Sequence, residues 1–294
     1  MALLSVKNLN VKFRINDGFV NAVNDVSFEI AAGQKLALVG ESGSGKSQIA
    51  FAIMGLLARN GKAGGKVEFD GQNLLGLKAD ALNRVRTKEI AIIFQDPMSS
   101  LNPYMRIERQ LNEVLELHEG LKGKAARKRV LEVMDAVQIP DAMNRLRCYP
   151  HEFSGGMRQR IVIAMALLCN PRLILADEPT TALDVTVQAQ IMSLLDDIQQ
   201  DFGSAILLIT HDLGVVAGFS DETMVLYGGR VMERASTLEI FDNPTHPYTR
   251  GLLRAVPNIH ERAEKLVSIE GSPPSQNVFP TFCPFAPRCP DVVD

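Results

Sequence analysis

Cysteine is scarce in this chain and net charge is nearly absent. Four cysteines among 294 residues are too few for a disulfide scaffold, and Cys148 and Cys169, far from the other two, read as core or semi-buried thiols. Lysine and arginine total 31 against 34 acidic residues, a net charge of −3 with dispersed basic positions. Such a balance carries no electrostatic footprint for nucleic acid or anionic lipid. The one basic run, KGKAARKR at 122–129, alternates with alanine on a predicted helix and reads as a solvated face. No apolar run reaches the ~18 to 20 residues of a spanning helix, and MALLSVKNLNVKF lacks a basic stretch followed by a long apolar one. The chain therefore reads as cytosolic unless a partner holds it at a membrane. It has neither an internal repeat nor a low-complexity segment.

What is present begins with apolar residues, 46% of the chain, enough for a substantial core. LSVKNLNVKF at 4–13 and AVNDVSFEI at 22–30 alternate around Asn16-Asp17-Gly18 and predict antiparallel strands. Apolar runs at 34–40, 90–94, 173–176 and 205–209 each end in glycine or polar residues, as parallel strands covered on both faces do. Residues 98–160 carry charged and apolar positions at helical spacing and predict a helical insertion. Val187, Ile191, Leu194, Leu195 and Ile198 trace one apolar helix stripe. After about residue 232 the pattern weakens and Pro, Asn and Ser rise, which predicts an appended tail. Met54, Met134, Met165 and Met192 read as core fillers.

GESGSGKS at 40–47 fits GxxxxGK[ST] at every position, between a buried strand and a helix. Its glycines allow successive amides to turn toward phosphates while the helix start adds its positive end. Gly40, Ser42, Gly43, Ser44, Gly45, Lys46, Ser47 and Gln48 are thus expected to hold ATP, with Lys46 on the β and γ phosphates and Ser47 on Mg²⁺. LILADEP at 173–179 delivers Asp177 toward Mg²⁺ and Glu178 beside it, where a carboxylate can polarise the attacking water. A phosphate loop alone leaves kinases, GTPases, helicases and transport motors open.

Ser154-Gly155-Gly156-Met157-Arg158, followed by Gln159 and Arg160, resembles the signature of the ABC ATPase family, with Phe153 and Met157 in place of its commonest residues. That resemblance implies a P-loop α/β fold: a mostly parallel core sheet, an N-terminal antiparallel β subdomain, a helical signature subdomain and a C-terminal extension. It implies that Ser154, Gly155 and Gly156 bind the γ-phosphate of ATP held by a second ATPase subunit. It also assigns Gln95 to the Q-loop, on Mg²⁺ and the attacking water, Asp184 to the D-loop, His211 to the switch, and one aromatic, Phe13 rather than Phe19, to stacking on adenine. The expected boundaries are a cassette over 1–232, its helical subdomain at about 98–160, and an extension over 233–294.

NPTHPYTRGLLRAVP at 243–257 and CPFAPRC at 283–289 resemble the extension of the oligopeptide and dipeptide importer ATPases. GESGSGKSQ, SSLNPYM, YPHEFSGGMRQR and HDLGVVAG resemble the oligopeptide branch over essentially the whole chain. The implied setting is the cytoplasmic face of a bacterial inner membrane. The implied partners are a second ATPase as heterodimer, two membrane permease subunits and an extracytoplasmic peptide-binding protein, with no nucleic acid. Within that family a dipeptide or nickel importer is the nearest alternative. A DNA-associated ABC ATPase would need a longer insertion than 98–160. The family's tail usually carries four cysteines proposed to bind a [4Fe-4S] cluster. Here the sequence stops at Asp294, either truncated or incomplete, so Cys283 and Cys289 are conditional ligands.

Overall fold

The computed structural model describes residues 2–16, 18–255, 269–274 and 282–292. Its chain divides into two compact units, one formed by residues 1–77 with 208–294, the other by 78–207.

The first unit opens on the two alternating segments, which form strands Ala2–Ile15 and Gly18–Ala31, paired antiparallel. Of the expected turn between them, Asp17 lies outside the described residues. A third strand, Gly61–Phe69, pairs antiparallel with the first, and the short Gln72–Asn73 completes a four-stranded sheet. Strand Lys35–Val39 is buried at four of its five residues and runs parallel to Glu222–Tyr227, which pairs antiparallel with Arg230–Ser236. Such a continuous apolar run has no solvent face to alternate toward. The helix Lys46–Met54 follows strand Lys35–Val39 after a glycine-rich loop and buries Ile49, Ala50, Ile53 and Met54.

Past residue 232 the chain does not leave this unit. Ser236 and Glu239 form a reciprocal capping box that starts helix Thr237–Asp242, and Pro247–Ala255 forms another helix. Ile240, Tyr248 and Phe285 bury themselves with Val225 and Tyr227 of the Glu222–Tyr227 strand. The rings of Tyr227, Tyr248 and Phe285 lie with centroids 4.5 to 5.3 Å apart, in tilted and edge-on pairs. Each such pair contributes about 0.5 to 1.5 kcal/mol beyond the area it buries.

In the second unit, Ile90–Ile93 and Leu173–Asp177 pair parallel, with Ile90 opposite Leu173 and Ile93 opposite Ala176. The expected helical insertion is present as helices Pro97–Ser100, Ile107–His118, Gly123–Ala136 and Ala142–Arg145, followed by a short turn of helix and then Gly155–Leu167. The apolar stripe of helix Val185–Phe202 is buried at Ile191, Leu194, Leu195 and Ile198, while Val187 is half-buried. Its ends are chemically marked, by the Asp184 side chain at the start and by Gly203 in a left-handed conformation at the end.

The basic run departs from its expected solvated face at two positions. Lys122, Lys124 and Lys128 are exposed, but Arg127 and Arg129 are half-buried. Arg129 donates to the carbonyls of Leu167 and Leu168 at the C-terminal end of helix Gly155–Leu167. Cys148 is half-buried and Cys169 buried, as expected, and burial pushes the Cys169 thiol up to about 11. Met54 and Met134 are buried and Met165 and Met192 half-buried, in keeping with a packing role.

Candidate functional site

Gly40–Ser47 turns between the Lys35–Val39 strand and the Lys46–Met54 helix, in the first unit. Gly43 and Gly45 have φ of 80° and 100°, where side chains are strained, and Gly45 also lies against strand Gly18–Ala31. A Cβ built on Gly45 would sit 2.1 Å from the Ala22 carbonyl oxygen. Gly45→Ala is therefore expected to lower folding stability by about 2 kcal/mol or more. A thermal melt matching that of the unsubstituted chain would overturn this reading of the loop.

Lys46 is 5% exposed. Its Nζ donates to the carbonyls of Gly40 at 2.8 Å and Glu41 at 3.0 Å, inside its own loop. The Ser44 hydroxyl is buried and has no hydrogen-bond partner among the described residues, an arrangement a phosphate oxygen would satisfy. Ser42 and Gly43 are exposed, Ser47 and Gln48 half-buried. The loop amides do not all turn inward. Ser44 N–H donates to the Glu41 carbonyl and Glu41 N–H to the Tyr248 hydroxyl. In the same unit His211 is exposed, one residue past strand Ala205–Thr210, and Asp212 caps the short helix that follows.

The second unit holds the remaining expected groups. Asp177 ends its strand and is 4% exposed. Glu178 follows in the left-handed region at φ 47°, a conformation a non-glycine residue keeps only when its surroundings fix it. What fixes it is visible. Gln95 Nε2 donates to Glu178 Oε2 at 3.1 Å, and the Thr181 hydroxyl donates to the same oxygen at 2.8 Å. The structure thus brings Gln95, exposed beyond the Ile90–Ile93 strand, onto the carboxylate proposed to act on water. Thr181 was not singled out from sequence. A hydroxyl three residues after an acid at a strand end is the local signal that could have found it.

Ser154 caps helix Gly155–Leu167, its Oγ accepting from Met157 N–H at 3.4 Å, and Ser154 and Gly155 are exposed. The start of this thirteen-residue helix, with Ser154 and Gly155 exposed, is open to an anion. Gly156 is needed for closeness rather than rotation, since a Cβ there would lie 2.6 Å from Val187 Cγ1. Asp184 spends its carboxylate on the cap, accepting from Val187 N–H at 2.9 Å.

Phe13 is half-buried beside Gly61, where a Cβ would meet its ring at 2.6 Å, whereas Phe19 is 47% exposed with Lys12 Nζ 5.2 Å from its ring centre. Mg²⁺ needs one or two carboxylates with hydroxyl, phosphate and water oxygens. Asp177 and Ser47 are donors of those kinds. The cluster fits less well. Cys283 and Cys289 are free thiols, and among the described residues no three His, Cys, Asp or Glu side chains gather as metal ligands. Among the described residues His246 lies beside Cys283, with Nε2 3.9 Å from Sγ.

A glycine loop closing on a buried lysine, and a carboxylate held at a strand end by glutamine and threonine, define a nucleoside triphosphatase of the P-loop class. Residues 23–181 match the ABC transporter family, and the chain belongs to it. Residues 232–294 match the C-terminal region of oligopeptide/dipeptide transporters. The oligopeptide transport ATP-binding protein OppD of Haemophilus influenzae is 56% identical over 98% of this chain and 89% of its own length. That of Escherichia coli is 54% identical over 100% and 87%. A dipeptide transport ATP-binding protein, DppD of Lactococcus lactis, is 50% identical over 97% and 82%. Among solved structures, a dimeric bacterial ABC transporter cassette aligns with TM-score 0.71 at 29% identity, over 80% of this chain and 98% of its own.

Proposed function

We propose that this chain is the ATP-binding and hydrolysing subunit of an importer of oligopeptides. The observation that carries the catalytic half is the Gln95–Glu178 hydrogen bond, with Glu178 held in its left-handed conformation. The transported class rests on relatives named for oligopeptide transport at 54 to 56% identity and on the matching C-terminal region. Among the described residues no helix is long and apolar enough to cross a membrane. Its relatives named for oligopeptide transport support a chain that acts with separate membrane subunits, at the cytoplasmic face of the inner membrane.

In this reading the cassette spans 1–232 and the extension 233–294. Lys46 leaves the Gly40 and Glu41 carbonyls for the β and γ phosphates, and Ser44 and the loop amides complete the cradle. Mg²⁺, when bound, neutralises phosphate charge, and Ser47, Asp177 and Gln95 would hold it. Glu178 polarises the attacking water, and His211 holds the γ-phosphate and orients Glu178. Ser154–Gly156 meet the γ-phosphate of ATP held by a second ATPase subunit, through the amides at their helix start. Asp184 is the D-loop residue of the nucleotide site, and its carboxylate caps its own helix. Hydrolysis reopens the pair, and Gln95 with residues 98–160 passes the change to two permease subunits served by an extracytoplasmic peptide-binding protein.

Phe13→Ala is expected to weaken ATP binding about tenfold through lost stacking, with hydrolysis at saturating ATP retained. An unchanged ATP titration in Phe13→Ala would remove Phe13 from the adenine site. Partner and substrate class are tested by affinity capture of the chain from native membranes. Two permease subunits and a second ATPase are expected to come with it. Capture of chromosomal or repair proteins instead would sink the importer assignment. The dipeptide relative makes dipeptide transport the second reading, and competition by dipeptides against longer peptides in the uptake of a labelled peptide separates the two.

A further inference from the structure

We infer that the C-terminal extension braces the phosphate loop in cis, with Arg288 and Tyr248 acting as positioning residues for ATP binding through Glu41. Glu41 is the second residue of the loop and is held twice from the tail. Its amide donates to the Tyr248 hydroxyl at 3.0 Å, and its Oε2 accepts from Arg288 Nη1 at 2.9 Å. The Arg288 side chain is 6% exposed and its other donors are spent on the Tyr227 hydroxyl and on the carbonyls of Ile269 and Glu270. Burial opposes the guanidinium charge, and its bonds to Glu41 and Tyr227 outweigh that, leaving its pKa raised.

The consequence reaches the lysine directly. With its amide and carboxylate both fixed, Glu41 has little freedom in where its carbonyl points, and that carbonyl accepts from Lys46 Nζ and from Ser44 N–H. A second contact acts on the far side of the loop. Pro284 and Pro274 lie over Gly228, where an added Cβ would come within 3.1 Å and 3.2 Å of them, and the next residue, Gly229, donates its amide to the Ser44 carbonyl. The tail thus holds both Glu41 and Ser44, one on each side of the glycine that turns the loop. A loop ordered before ATP arrives loses less freedom on binding it, so the brace raises affinity.

This rests on the assignment of Gly40–Ser47 to ATP, which Lys46→Ala tests separately. The experiment is equilibrium titration of full-length variants with ATP and Mg²⁺, alongside thermal unfolding. Arg288→Lys loses the planar fork, Glu41→Gln loses the charge, and Tyr248→Phe removes only the hydroxyl. Arg288→Lys and Glu41→Gln are each expected to weaken ATP affinity about tenfold, as loss of one charge-assisted contact implies, and the double variant no further. Tyr248→Phe should weaken it by a smaller factor, with the melting temperature nearly kept, which keeps the test open should Arg288→Lys fail to fold. Lower melting temperatures with unchanged ATP affinity, or losses that multiply in the double variant, would overturn the brace. Loss of affinity in Lys46→Ala alone would leave the phosphate loop standing and the brace refuted.

Discussion

Glu178→Gln is expected to bind ATP normally and to hydrolyse it about two to three orders of magnitude more slowly, the usual worth of a general base. The substitution keeps the volume and both bonding positions of the side chain. Gln95 and Thr181 both donate to Oε2, and an amide oxygen there can still accept from each. Only the negative charge is lost, and with it the pull on a water proton. In the proposed mechanism two ATPase subunits close on ATP before hydrolysis, so the variant together with its partner ATPase should accumulate as a closed assembly in ATP, seen by light scattering as the summed mass of the two subunits. Steady-state ATPase at the unsubstituted level would remove Glu178 from its role. A drop in ATP affinity instead would mean that its left-handed backbone serves the fold rather than the water.

Lys46→Ala should fail one step earlier, with ATP affinity falling about a hundredfold, the scale of losing two charge-assisted contacts to phosphate. The lysine is buried and carried at the first position of its helix, so its only route to a ligand is into the loop. Its two loop carbonyls are weaker acceptors than phosphate oxygens, which is why transfer is favourable when ATP arrives. ATPase activity at the unsubstituted level in this variant would undermine the phosphate-loop reading as a whole.

The parts of the site legible in the sequence are those whose chemistry is local. A glycine loop between an apolar strand and a helix, and an acidic pair ending another apolar run, declare themselves within eight residues. The Gly61–Phe69 strand did not, because GKAGGKVEF buries only Val67 and Phe69 and its glycines and lysines hide the alternation. Glu222–Tyr227 is likewise hard to read from sequence, although five of its six residues are buried, since it lies between His211 and a tail rich in proline. Arg288 and Tyr248 were invisible for another reason. They meet Glu41 across 247 and 207 positions of sequence, and no periodicity reports a contact that distant. Asp184 could have been read further, since an acid before a helical stripe is an N-cap as well as a family landmark.

The phosphate loop, Glu178 and the importer setting meet in one assay: uptake of a labelled oligopeptide into vesicles that carry the membrane subunits, with this chain supplied on the ATP side. The expected result is uptake that requires ATP and the unsubstituted chain and that stops with Glu178→Gln, even though ATP is bound. Uptake that proceeds equally with Glu178→Gln, or that needs no nucleotide, would contradict it.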